Sequence, residues 1–270
     1  MTVRLAVAAV QLTATTDVGA NLSRAEALCR RAAEAGARLV VLPENFGCFG
    51  ADADKLPHAQ EIEDGPFLTP LRRLAKEQDV YILAGSIPER GPDAAHTYNT
   101  SVLIDPAGKT RATYRKIHLF DVELGGGLSY RESEHVTAGS TPVVADVDGF
   151  KLGLSICYDL RFPELYRALV QAGARAFAIP AAFTLHTGKD HWEPLLRARA
   201  IENLCYVVAA GQWGFHGERR YTWGKSMLVD PWGTPLCTAP EGEGFVTATF
   251  DTEPQDRIRA EIPSLANRRL

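Results

Sequence analysis

Nowhere in its 270 residues does the chain hold an apolar run of membrane length, a C-x-x-C pair or an excess of basic charge. Its longest apolar stretches, such as residues 5–10, fall far short of the ~20 residues that a membrane helix needs. Lys and Arg total 29 against 33 Asp and Glu, a net charge of −4. No basic surplus exists to hold a phosphate backbone, so nucleic acid is not an expected partner. The cysteines, Cys29, Cys48, Cys157, Cys205 and Cys237, are an odd number and scattered. That argues against a disulfide framework and against a cysteine-held metal. The first dozen residues read as a strand from the outset, without the charged start, apolar middle and cleavage site of a signal peptide. The expectation is a reduced, cytoplasmic protein with no membrane partner.

What is present is an ordinary globular balance, 46% hydrophobic and 23% charged, which excludes a disordered or fibrous chain. The length fits one large domain, 1–270, able to bury roughly 75% of its unfolded surface. Strand-like and helical patterns alternate along it. Segments 4–12, 38–42 and 80–85 read as strands, and segments 21–35 and 67–78 as helices, the first with Leu22, Ala25, Cys29 and Ala32 on one side. Segment 99–114 reads as a hairpin turning at Asp105-Pro106-Ala107-Gly108, a good turn sequence.

The second half repeats the plan. Segment 151–157 is strand-like, and Pro163 and Gly173 bracket a helix with Leu165, Ala168, Leu169 and Ala172 on one face. A strand at 176–179, a helix at 192–203, a strand at 206–210 and a hairpin at 226–237 follow. The hairpin's turn, Asp230-Pro231-Trp232-Gly233, answers the first one at an offset of 125, and Tyr206 answers Tyr81 at the same offset. Two similar halves are therefore expected: an α/β fold, a four-layer α-β-β-α sandwich with a pseudo-twofold axis. Corresponding strand ends, including those carrying Glu44 and Cys157, would gather near that axis.

Cys157 follows an apolar run and precedes a turn into the helix at Pro163, an arrangement that lifts a nucleophile out of a sheet edge. Most free cysteines are instead small buried hydrophobes. No histidine sits in a recognisable base signature: His118 reads as structural, and His186 and His191 have no third ligand at metal spacing. Glu44 ends an apolar strand, where a carboxylate needs a partner or a path to solvent. Lys116, in Tyr114-Arg115-Lys116, reads equally as a solvated surface charge.

Together these segments resemble the nitrilase (carbon–nitrogen hydrolase) superfamily along essentially the whole chain. Val41-Leu42-Pro43-Glu44-Asn45 is similar to the family's glutamate motif, and Tyr114-Arg115-Lys116-Ile117-His118-Leu119-Phe120-Asp121 to its lysine motif. Gly153-Leu154-Ser155-Ile156-Cys157-Tyr158-Asp159-Leu160-Arg161-Phe162-Pro163-Glu164 is similar to its cysteine motif. Within the superfamily the chain resembles the Nit branch through His191-Trp192-Glu193, Arg197-Ala198-Arg199-Ala200 and the terminal segment 260–269. Tyr158-Asp159 stands where true nitrilases carry Trp-Glu, which counsels against a nitrile substrate.

The resemblance implies a cysteine-dependent amidase that passes through a thioester, with Glu44 as base, Lys116 as oxyanion stabiliser and Cys157 as nucleophile. It also implies a second glutamate, Glu132, with Glu134 as a rival because the glycine loop 125–127 blurs the local alignment. Tyr158, Arg161, Phe183, Thr184, His186 and Thr187 become candidates for the substrate. Arg161 reads equally as an ion-pair partner of Glu164 or Asp159. No metal or organic cofactor is implied; a homodimer or larger homo-oligomer is. Segments 182–188 and 199–202 are more similar to deaminated-glutathione amidases than to omega-amidases acting on 2-oxoglutaramate. Hydrolysis of N-carbamoyl amino acids and a catalytically silent scaffold are the remaining alternatives.

Overall fold

Residues 5–10 of the first strand are apolar without a break, and alternate positions go to two different cores. Leu5, Val7 and Ala9 of β1 (Arg4–Gln11) face one core, while Ala8 and Val10 face the other. A sheet must be covered on both faces for such a strand to be buried throughout. The computed structural model describes residues 2–124, 128–217 and 220–269, so the glycine loop 125–127 lies outside the described residues.

The first half comprises β1, α1 (Val18–Glu34), β2 (Leu39–Val41), α2 (Thr69–Gln78), β3 (Tyr81–Arg90), β4 (Thr97–Ile104) and β5 (Thr110–Arg115). A small hairpin, β6 (Asp121–Leu124) with β7 (Leu128–Arg131), leads to the second half. That half comprises β8 (Val143–Val147), β9 (Phe150–Leu154), α3 (Pro163–Gln171), β10 (Ala176–Ala181), α4 (Leu185–Asn203) and β11 (Tyr206–Gly211). A short hairpin of β12 (Trp213–Phe215) and β13 (Tyr221–Trp223) precedes β14 (Met227–Val229) and β15 (Pro235–Thr238). The last elements are β16 (Gly244–Asp251) and α5 (Thr252–Glu261).

Two six-stranded sheets result, in the orders β16-β1-β2-β3-β4-β5 and β15-β14-β11-β10-β9-β8. One core fills the space between α1, α2 and the first sheet; the other runs between the sheets and out to α3 and α4. This is the expected four-layer α-β-β-α sandwich.

The halves match in detail. Asp79 and Leu204, 125 residues apart, both take left-handed conformations at helix ends, φ 52° and 48°. Each donates its N–H to the helix, to the carbonyls of Ala75 and Ala200. At the hairpin turns Asp105 accepts from the backbone N–H groups of Ala107 and Lys109, and Asp230 from those of Trp232 and Thr234. Gly108 and Gly233, at φ 76° and 86°, complete the turns.

Some local readings shift. In α1 the buried face is Asn21, Ala25, Leu28, Cys29 and Ala32, with Leu22 only half-buried. In α3 it is Leu165, Tyr166 and Leu169, while Ala172 is exposed. Helix α4 begins at Leu185 rather than Trp192. Glycine is a poor helix former, but at position 188 a Cβ would lie 2.3 Å from Trp223.

Candidate active site

The loop after β2 is held by a close backbone approach. Gly85 packs against the Pro43 carbonyl, where a Cβ would lie 1.8 Å from the oxygen. Next to it the Ser86 hydroxyl accepts from the N–H of Asn45, itself left-handed at φ 56°. Between these anchors Glu44 turns inward. Its Oε1 accepts from Lys116 Nζ at 2.9 Å and its Oε2 from the Ala182 N–H, just past β10, at 2.9 Å. The carboxylate thus ties the two halves together.

Lys116 leaves the end of β5, its N–H bonded to the Asn99 carbonyl. Its ammonium lies 2.8 Å from Glu132 Oε2 and 3.1 Å from Oε1. Glu132 opens the single turn Glu132–Glu134 after β7 and is pinned by the Phe120 N–H at 2.7 Å. Glu134 is exposed, so Glu132 is the glutamate that meets Lys116. Glu44, Lys116 and Glu132 are only 3%, 2% and 5% exposed. Charges this deep persist only when paired and hydrogen-bonded.

Asn99 of β4 completes the cluster and was missed at the sequence level. Its Nδ2 donates to Glu44 Oε1 at 3.0 Å and to Glu132 Oε1 at 3.1 Å. The reverse orientation would set its oxygen against two carboxylates, so this one is dictated by charge. Its Oδ1 is left buried without a hydrogen-bond partner. The polar run Asn99-Thr100-Ser101 in an interior strand is the one sequence signal that could have flagged it.

Cys157 lies beyond β9 with φ 48°, a left-handed conformation rare for a residue with a side chain. It opens the one-turn segment Cys157–Arg161 before α3. Buried Asp159 stabilises that turn. It accepts from the Ile156 N–H at 2.8 Å, the Tyr114 hydroxyl at 2.7 Å and the His118 N–H at 3.1 Å, and contacts His118 Nδ1 at 2.7 Å. His118 also stacks on Phe162, with centroids 3.7 Å apart, the structural role expected of it.

Burial works to raise the Glu44 carboxyl, but the Lys116 charge and hydrogen bonds from Lys116 and Cys157 bring it below the usual value. Burial works to lower Lys116, yet Glu132 and Glu44 hold it well above the usual ammonium range. Burial and the Glu44 charge push the Cys157 thiol well up, against the pull of Lys116. At neutral pH the cluster therefore holds a carboxylate, an ammonium and a neutral thiol.

Glu44, Lys116, Glu132 and Cys157 all line one cleft, together with Tyr158, Arg161, Phe183, Thr184 and Thr187. His186 does not: it is exposed on the first turn of α4, because that helix starts earlier than its sequence pattern suggested. Arg161 is not ion-paired with Glu164 or Asp159; it lies over Phe183 and beside His191 Nδ1 at 3.2 Å. The Thr184 hydroxyl caps α4 and meets that of Thr187 at 2.9 Å. Asn45, Phe49, Lys55, Phe120, Tyr130, Ala182, Arg220, Tyr221 and Thr222 complete the lining; of these only Asn45 and Phe120 fall within the quoted motifs, and neither was a site candidate. Among the described residues, no group of three His, Cys, Asp or Glu side chains is placed to hold a metal ion. Nor is any helix among them long and apolar enough to cross a membrane.

Residues 6–259 match the carbon–nitrogen hydrolase family. A Synechocystis protein named deaminated glutathione amidase is 47% identical over 264 residues, covering 97% of each chain. The crystal structure of the Caenorhabditis elegans NitFhit protein superposes with a TM-score of 0.92 at 40% identity, covering 98% of this chain and 65% of that one. Saccharomyces cerevisiae Nit3, described as a member of branch 10 of the nitrilase superfamily, superposes with a TM-score of 0.87 at 33% identity, covering 96% and 94%. The chain belongs to the carbon–nitrogen hydrolase family and is an enzyme of the amidase type.

Proposed function

We propose that this carbon–nitrogen hydrolase cleaves a small linear amide, deaminated glutathione first among the candidates, to a carboxylate and an amine. The whole of 1–270 acts as one catalytic domain and needs no cofactor. The observation that carries the reading is the Lys116 ammonium gripped between Glu44 and Glu132 in the cleft that also holds Cys157.

Glu44, ionised at rest, takes the Cys157 proton as the sulfur attacks the amide carbonyl, so the thiolate forms only as it is used. Lys116 and the Tyr158 N–H stabilise the tetrahedral oxyanion; one such donor contributes ~3 kcal/mol. Glu44 returns the proton to the departing amine, leaving an acyl thioester on Cys157. Water then attacks the thioester, giving its proton to Glu44, and the carboxylic product leaves as the thiol is restored. Glu132 keeps Lys116 charged and aimed. Arg161, with Thr184 and Thr187, receives the carboxylate or 2-oxo acid end of the acyl part.

The protein works as a homodimer or larger homo-oligomer in a reducing cytoplasm, in keeping with five unpaired cysteines. The test is kcat/KM for deaminated glutathione, 2-oxoglutaramate, N-carbamoyl amino acids and aliphatic nitriles, followed by product mass spectrometry. Deaminated glutathione is expected to lead and nitriles to be nearly inert. A preference for 2-oxoglutaramate would move the enzyme to the omega-amidases. Cys157→Ala is expected to abolish turnover with the melting temperature little changed, and residual turnover by that variant would overturn the thioester route.

A further inference from the structure

We propose that Arg220 forms a second carboxylate subsite, on the amine side of the scissile bond, so that preferred substrates carry an acidic group on both sides of the amide. The inference deepens the amidase reading above and rests on it.

Arg220 precedes β13 and is half-buried in the cleft wall. Its Nη1 donates to the Gly50 carbonyl at 2.6 Å, which fixes one edge of the guanidinium. The group lies 5.2 Å from the Phe49 ring centroid and 5.6 Å from that of Tyr130. Such rings orient a cation and strip it of water without neutralising it. Surface arginines such as Arg38 and Arg115 have a carboxylate oxygen at 2.6 Å. Among the described residues neither Arg220 nor Arg161 has one. The two carboxylates that line the cleft, Glu44 and Glu132, are both engaged by Lys116. With no carboxylate beside either among the described residues, each arginine is free to receive an anion from a substrate.

The two arginines stand over different rings of the wall. Phe120 lies 5.1 Å from Tyr130 and 5.1 Å from Tyr158. Arg220 sits over the Tyr130 end of this row of rings and Arg161 over the Tyr158 end, 6.0 Å from that centroid. Arg161 shares a turn with Cys157 and so stays in register with the acyl group for as long as the thioester lasts. Arg220 adjoins Tyr221, half-exposed in the lining, and an amine part reaching toward solvent would lie against this part of the wall. An amide whose leaving group is ammonia puts nothing on Arg220. One whose amine part ends in a carboxylate, as the cysteinylglycine part of deaminated glutathione does, gives it a partner. A planar carboxylate on the arginine fork forms two charge-assisted hydrogen bonds.

The experiment compares three substrates with the full-length protein: deaminated glutathione, its C-terminal carboxamide and 2-oxoglutaramate. The unsubstituted enzyme should favour the free acid over the carboxamide by about tenfold in kcat/KM, chiefly through KM, the loss expected when one charged hydrogen-bonded contact is removed. Arg220→Gln should erase most of that preference, losing about tenfold more on the free acid than on the other two, and Arg220→Lys should recover part of it. Equal use of acid and carboxamide by the unsubstituted enzyme would overturn the subsite without any variant. Equal losses by Arg220→Gln on all three substrates would make Arg220 a brace for the Gly50 loop and overturn it too. Turnover of 2-oxoglutaramate alone would remove the subsite together with the choice of substrate. Turnover of the acid and carboxamide with no preference would remove only the subsite.

Discussion

The two halves of the molecule share a frame and divide the chemistry. The Asp105 and Asp230 turns, the Asp79 and Leu204 corners and the two strand orders correspond one to one. At the strand ends the correspondence stops. The first half supplies Glu44, Asn99 and Lys116, with Glu132 from the connecting segment after β7. The second supplies Cys157, the Ala182 N–H and Arg161. Among the bridges that join them are Glu44 accepting from Ala182, and Asp159 accepting from Tyr114 and His118. Repetition produces a rigid scaffold whose corners tolerate only what the turn demands. Divergence lies at strand ends and in the loops beyond them, which the scaffold holds within hydrogen-bonding distance of one another.

The sharpest way to break this comparison is to remove one member of the charged cluster at a time. Glu44→Gln keeps the shape but deletes the base, so kcat should fall by roughly 10²–10⁴ and no acyl adduct should form. Glu132→Gln leaves Glu44 in place, so acylation should persist at a reduced rate. Intact-mass spectrometry after mixing with substrate reads both, and equal adducts in the two variants would refute the division of roles.

A smaller effect is expected at Asn99, which braces both glutamates. Asn99→Ala removes an N–H donor from each, and kcat/KM at neutral pH should fall about tenfold. Because a hydrogen bond to the ionised form lowers a carboxyl's pKa, its loss should move the acid limb of the kcat/KM profile to higher pH. The sign follows from Glu44. Its pKa is depressed in the folded protein, so the active carboxylate survives below the ordinary carboxylate range and is lost as pH falls through the depressed value. An unmoved acid limb would reduce Asn99 to packing.

The smallest effect belongs to the shared frame. Asp105→Ala and Asp230→Ala each delete two side-chain hydrogen bonds at an exposed turn. Each should cost about 1 kcal/mol of stability by denaturant unfolding, with kcat/KM unchanged. A large activity loss from either would show that the frame and the chemistry are not separable.

The apolar strand at 4–12, the paired Asp-Pro-x-Gly turns and the motifs around Glu44, Lys116 and Cys157 were legible because each acts over a few neighbouring residues. Period, turn chemistry and motif order are local, and together they determined the layered fold and the family. What the tertiary structure decided is which of those side chains meet. Lys116 is 72 residues from Glu44 and 16 from Glu132 in sequence, and only the sheet register and burial make one cluster of them. The same register brought in Asn99 and Arg220, which no motif marked, and separated Glu132 from Glu134 within a single turn. The early start of α4 left His186 outside, since the need of Trp223 for a glycine at position 188 is a contact between distant strands and helices. Charge pairing in a low-dielectric interior depends on distances of about 3 Å, and those exist only once the two sheets have packed.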